Sequence, residues 1–205
     1  MLKKINSLLI LILITLIAIV LMALIGPQEQ TLGSNVRLVY LHGAWVLTAE
    51  IAFVTAGIVG VIALASRKSK LYAWSRALGI TGIIFWITYL PLSLWAMQAN
   101  WNGLFLAEPR FRLALVFAVT GLLLQIGLWV MDIPWLTALS NVLFIIILRI
   151  VFSAAAYIMH PPPSPIFNSG NMWLISYFIV LNLLTMVAAI LVTRIILLIT
   201  TKKLI

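Results

Sequence analysis

Six separate apolar runs dominate the sequence, and each is long enough to cross a lipid bilayer as a helix. They occupy residues of about 5–25, 38–65, 76–98, 111–131, 135–159 and 172–199. A helix needs about 20 apolar residues to span the hydrocarbon core, and backbone polar groups inside lipid must be satisfied within the structure itself. The sequence therefore predicts an all-α polytopic membrane protein, a bundle of six transmembrane helices that forms a single membrane domain over residues 1–205.

Composition excludes several functional classes. Hydrophobic residues make up 64% of the chain and charged residues 8%, far from the values of soluble domains. The absence of cysteine excludes disulfides, thiolate metal sites and covalent haem attachment. The net charge of +9 does not indicate nucleic-acid binding here, because most lysines and arginines stand at the ends of the apolar runs, where they set orientation.

The distribution of basic residues predicts how the protein sits in the membrane. With six spans, eight cations share the side of the two termini and three lie on the other: Lys3, Lys4, Arg67, Lys68, Lys70, Arg76, Lys202 and Lys203 against Arg37, Arg110 and Arg112. The positive-inside rule then predicts a multi-pass protein of the inner or plasma membrane with both termini in the cytoplasm. The first run is longer than the apolar region of a signal peptide and lacks a clear A-x-A site, so a retained helix is expected.

The chain has two histidines, and both are predicted to lie at the outer boundary of the membrane. His42 follows the start of the second span, and His160 stands at the end of the fifth. Imidazole is a common ligand of haem iron, and two facing imidazoles can bind one iron from both sides of a porphyrin. The same placement also suits interfacial histidines that hydrogen-bond to water or backbone, so the residues alone leave both interpretations open.

The predicted outer loop at 100–112 combines aromatic residues with arginines. Such a loop can offer ring faces to a flat apolar ligand, and guanidinium groups make paired hydrogen bonds with carboxylates such as propionates. Tryptophans at this depth, Trp101 among them, also form the aromatic belt of ordinary membrane proteins.

Glu50 and Arg149 lie inside predicted spans, where an ionised side chain is costly and normally faces a partner. Counting from the outer boundary places both about 16–18 Å deep, so they are predicted to form an ion pair. Arg149 and His160 are eleven residues apart, which predicts one shared face of the fifth helix. A structural pair and a proton-relay or substrate role are both compatible with this position.

Three segments of the chain resemble the haem-handling membrane proteins of cytochrome c biogenesis, most closely the CcmC type. Residues 37–45, Arg-Leu-Val-Tyr-Leu-His-Gly-Ala-Trp, resemble the first histidine segment of that family. Residues 101–110 resemble its tryptophan-rich haem-binding segment, and His160 stands where the second histidine segment is expected. The resemblance covers residues 37–200 approximately, in the family's order and on the expected side of the membrane.

The resemblance implies a non-enzymatic protein that holds one haem b at the outer face without a covalent bond. It implies that other membrane subunits assist and that the haem passes to a haem chaperone or apocytochrome. The residues implied to contact the cofactor are His42 and His160 as axial ligands of the iron, Trp101 and Phe105 against the ring, Arg37 and Arg110 at the propionates, and Trp45 and Glu108 within the matching motifs.

Two other functions remain open from the sequence. The same fold can serve as a membrane subunit of a larger redox complex, with a permanent haem b or a purely structural role. A small-solute transporter is the other alternative, and Glu50 and Arg149 would then form its substrate or proton site.

Overall fold

The six predicted spans form six α-helices in the computed structural model, which describes residues 2–156 and 166–200. They are α1 (Leu2–Ile25), α2 (Val36–Ser66), α3 (Ser69–Trp101), α4 (Pro109–Met131), α5 (Pro134–Ser153) and α6 (Met172–Thr200). Each is long and apolar enough to cross a membrane. The predicted all-α polytopic architecture is confirmed.

Local chemistry explains where several helices begin and end. α2, α3 and α4 are each followed by a residue in the left-handed conformation, Arg67, Asn102 and Asp132, with φ of 55°, 53° and 51°, and that conformation terminates a helix. α4 begins at a proline after Glu108, whose carboxylate accepts a 2.6 Å hydrogen bond from the amide of Phe111. This bond satisfies one of the donors left open at a helix start.

The helices are arranged around a central α2–α3 hairpin. α4 and α5 pack together beside this hairpin, α5 against both of its helices and α4 against α3. α6 contacts both central helices as well as α1, which lies outside it. Short loops predict that consecutive helices are neighbours, and this prediction is wrong for α5 and α6, which form no packed interface between their described residues.

Two threonine pairs fasten α6 to the central hairpin. The Oγ1 atoms of Thr48 and Thr185 lie 2.7 Å apart between α2 and α6, and those of Thr81 and Thr193 lie 2.8 Å apart between α3 and α6. All four residues are buried. Within lipid, such interhelical hydrogen bonds and close packing replace the hydrophobic effect as the forces that join helices.

Asn141 connects three helices on the other side of the hairpin. Its Nδ2 donates to Ser75 Oγ on α3 at 3.1 Å, and its Oδ1 accepts a 3.0 Å hydrogen bond from Gln125 Nε2 on α4. Gly79 permits this approach, since a Cβ there would stand 2.6 Å from the Asn141 oxygen. The polar contacts thus require small residues at the helix interfaces.

α5 is shorter than its apolar run predicts, because it ends at Ser153 and not at 159. Hydropathy indicates which residues are compatible with lipid, but it does not indicate where helical hydrogen bonding stops. In this segment the apolar residues continue past the end of the helix. Arg149 therefore lies four residues from the helix end, about 6 Å along the axis, and its depth of 16–18 Å, which was counted along a helix that continues to 159, stays a prediction. The argument that put Arg149 and His160 on one face requires a single helix over both residues, and α5 ends before His160. The placement of His160 itself lies outside the described residues.

Candidate functional site

The early end of α5 accounts for a large cavity in one half of the bundle. From the contact between Glu50 and Arg149, α2 continues for 14 residues to Val36 while α5 continues for four to Ser153. At 1.5 Å per residue these lengths are about 21 and 6 Å, so roughly 15 Å of α2 has no α5 beside it. A cavity of about 1310 Å³ lies here. We call this half of the bundle the His42 end, and the opposite half the termini end.

The two central helices each turn one face toward the cavity. The lining residues recur at the three- and four-residue spacing of a helix face: Val36, Val39, Tyr40, Gly43, Val46 and Glu50 on α2, and Tyr89, Ser93, Ala96, Met97 and Asn100 on α3. Residues from the start of α4 and α6, from the end of α5 and from the connecting segments complete the wall. The cavity is therefore built mainly from helices.

Four residues predicted to form the site line this cavity: His42, Trp101, Glu108 and Arg110. They come from α2, from the end of α3, from the residue before α4 and from the first turn of α4. The His42 ring centroid lies 5.5 Å from that of Tyr89, and the rings are tilted by 55°. Separate segments of the sequence therefore converge on one space.

Buried polar atoms cluster around the same space. Tyr40 Oη, Asn100 Oδ1, Glu108 Oε1 and Arg110 Nε are buried and have no hydrogen-bond partner among the described residues. All four residues line the cavity. Because buried polar groups in native proteins are nearly always satisfied, these atoms indicate that water or a polar ligand completes the site.

The structure contains the predicted intramembrane pair. Arg149 Nη1 lies 3.0 Å from Glu50 Oε2, with 59% of the arginine side chain and 26% of the glutamate side chain exposed. Both residues line the cavity, and Arg110 lines it as well. The pair thus joins α2 to α5 and also places charge on the cavity wall.

Acidic residues concentrate at the cavity. The chain has four, and Glu29, Glu50 and Glu108 line this one space. Glu29 lies outside the spans, where hydrogen bonds from the backbone amides of Leu32 and Thr31 lower its carboxyl pKa. Its share of the loop's stability is therefore present above the unfolded-state pKa and is lost as pH falls through the lower folded-state value.

Three predicted contact residues lie elsewhere in the structure. Arg37 Nε donates to the carbonyl of Gly26 at 2.9 Å and holds the start of α2 against the end of α1. Trp45 Nε1 donates to Thr88 Oγ1 at 2.8 Å between α2 and α3. Phe105 is 42% exposed and makes a T-shaped ring contact with Trp101. None of the three is among the residues that line the cavity.

Sequence reasoning missed several polar wall residues, including Tyr40, Tyr89, Ser93 and Asn100. A usable signal was present, because Tyr89 and Ser93 are four residues apart on one face of the third predicted span, and Asn100 continues that face beyond the predicted end. Polar residues on one face of a membrane helix mark the side that turns away from lipid.

Comparison with protein-family models, with curated proteins and with solved structures gives no match to this chain. No group of three or more His, Cys, Asp or Glu side chains is placed to hold a metal ion within residues 2–156 and 166–200. A function must therefore be argued from the cavity and the residues that line it.

Proposed function

We propose that the protein binds haem b non-covalently in the cavity at the His42 end and passes it to a partner during cytochrome c biogenesis. The observation that carries this proposal is the convergence of His42, Trp101, Glu108 and Arg110 on one cavity. These residues belong to two segments that are distant in the sequence, His42 to the first histidine segment and the other three to the tryptophan-rich segment. The resemblance to CcmC-type proteins supplies the biological role.

The wall chemistry fits an amphipathic ring that carries carboxylates. His42 offers an imidazole, and Arg110 and Arg149 offer guanidinium groups for carboxylates. Trp101 and Phe152 add aromatic surface. The volume of about 1310 Å³ exceeds the roughly 300–1000 Å³ of most small-ligand pockets. His160 would supply a second imidazole from outside the described residues.

The excess of lysine and arginine at the termini end supports a cytoplasmic position for both termini in an inner or plasma membrane. The cavity then opens on the outer side, where an apocytochrome or a membrane-anchored haem chaperone can receive the haem. Further membrane subunits would dock against the exposed apolar helix faces.

The test is the absorption spectrum of the protein purified from haem-replete membranes. The wild type should carry a haem Soret band, and His42→Ala should lose it, with added free imidazole restoring binding. Removing a direct iron ligand should weaken haem binding beyond the roughly 10–100-fold loss that outer-shell changes cause. Leu47→Ala, on the same helix but not among the cavity-lining residues, is the control and should bind haem normally.

A haem-free wild type that also fails to take up added haemin would rule out this function. If haem is bound, a haem-accepting apoprotein separates delivery from electron transfer. Transfer of haem to the acceptor supports delivery. Haem that stays in place and changes redox state supports a permanent subunit of a redox complex.

The charged cavity wall favours a small polar solute as a second candidate ligand. Glu50 and Arg149 face the cavity as a pair, which is the arrangement expected of a substrate or proton site in a transporter. Under this alternative, Glu50→Gln with Arg149→Gln should abolish solute uptake into proteoliposomes, and His42→Ala should leave uptake intact.

A further inference from the structure

A second, smaller cavity lies at the termini end, between α1, α3 and α6. It has a volume of about 330 Å³, and its lining residues are Lys4, Leu8, Lys70, Ala73, Trp74, Arg194, Leu197 and Leu198. We call it the basic groove. It is separate from the cavity at the His42 end, since the two share no lining residue.

Helix packing creates the basic groove. α1 and α3 both pack against α6, so α6 forms the floor and the other two helices form the walls. The floor supplies Arg194 and Leu197, and the walls supply Lys4 and Trp74.

The charges of the basic groove are all of one sign. Lys4, Lys70 and Arg194 come from three different helices, and no carboxylate of the described residues lines the groove. At this end of the described chain Asp132 is the acidic residue, and it pairs with Arg76. Three cations that line one groove repel one another, and an anion bound among them offsets that repulsion.

We propose that the basic groove binds the phosphate headgroup of an anionic membrane lipid, with its acyl chains against Leu8, Leu197 and Leu198. Basic pockets between transmembrane helices recognise such headgroups by charge. Long lysine and arginine side chains reach the headgroup level while their stems stay in lipid. Trp74, 37% exposed, stands where an indole ring favours the membrane–water interface. The three cations of the basic groove favour an anionic headgroup. The leucines favour a ligand that also carries acyl chains.

Lipid binding to the purified full-length protein in neutral detergent tests the proposal. Native mass spectrometry should detect a bound phosphatidylglycerol and no equally retained phosphatidylcholine. Lys70→Gln with Arg194→Gln should weaken phosphatidylglycerol binding about 30-fold, from about 1 kcal/mol for each lost cation. Arg67→Gln with Lys68→Gln removes the same charge at the same end without altering the groove lining, and should leave binding unchanged.

Two outcomes would overturn the assignment. Equal loss of binding in both double variants would mean that diffuse surface charge attracts the lipid. Equal stabilisation of the protein by glycerol phosphate, which lacks acyl chains, would mean a site for free anions. Neither result depends on haem binding at the His42 end.

Discussion

Gly82→Leu is expected to lower the melting temperature of the bundle in mild detergent. A Cβ at position 82 would lie 2.5 Å from two ring carbons of Phe53. That ring is 3% exposed, and its centroid lies 4.9 Å from Phe144 and 5.9 Å from Trp86. Because the ring is enclosed on several sides, the inserted side chain must push α2 and α3 apart. Overpacking of this kind costs about 1–3 kcal/mol and sometimes more.

Gly127→Leu is the matched control for this experiment. Gly127 is also inside a helix, and a Cβ there would meet nothing within 4 Å among the described residues. Both variants exchange a helical glycine for the same residue, so any gain in helix propensity is common to them. Fluorescence-detected size exclusion after graded heating should show a lower melting temperature for Gly82→Leu alone. Equal melting temperatures would contradict the close packing of α2 and α3 at this position.

Neutralising Arg149 alone is expected to destabilise the protein more than neutralising Arg149 and Glu50 together. Arg149→Gln leaves the carboxylate of Glu50, with 26% of its side chain exposed, without its closest cation. Breaking a fully buried pair costs about 3–5 kcal/mol, whereas exposed pairs contribute less than about 1 kcal/mol. Because 59% of the Arg149 side chain is exposed, a coupling energy of about 1–2 kcal/mol between these limits is expected.

A double-mutant cycle measures this coupling. The melting temperatures of Glu50→Gln, Arg149→Gln and the combined variant should be strongly non-additive. The pair of Arg76 and Asp132 at the termini end is the control for ligand binding. Its removal should not change binding in the cavity at the His42 end. Additive effects of the Glu50 and Arg149 changes would show that the two charges act independently.

The cycle also bears on function, because Glu50 and Arg149 line the cavity. A combined variant that is stable and still binds haem would assign the pair a structural role between α2 and α5. A stable combined variant that no longer moves a solute would favour the transporter alternative. Stability and ligand binding must therefore be recorded on the same preparations.

Much of the candidate site could be predicted from the sequence. His42, Trp101, Glu108 and Arg110 stood out as histidine, aromatic and charged residues at membrane boundaries, and all four line the cavity. Arg37 and Trp45 stood out for the same reasons, but they bond to Gly26 and Thr88. Residue type and depth do not distinguish these two groups, because the difference lies in which helix face meets which neighbour.

The apolar runs by themselves determined that the chain forms six membrane helices. The length and hydropathy of a span are local properties of the sequence, and they decide whether a helix can cross the hydrocarbon core. The opposite charges of Glu50 and Arg149 predicted their contact, because an ion in lipid needs a partner. Only the tertiary structure decided that α5 stops at Ser153 and that α6 crosses to the far side of the hairpin. The end of α5 determines where the large cavity lies, and the position of α6 determines where the basic groove lies. Both features depend on packing between side chains that are distant in the sequence, which no local pattern encodes.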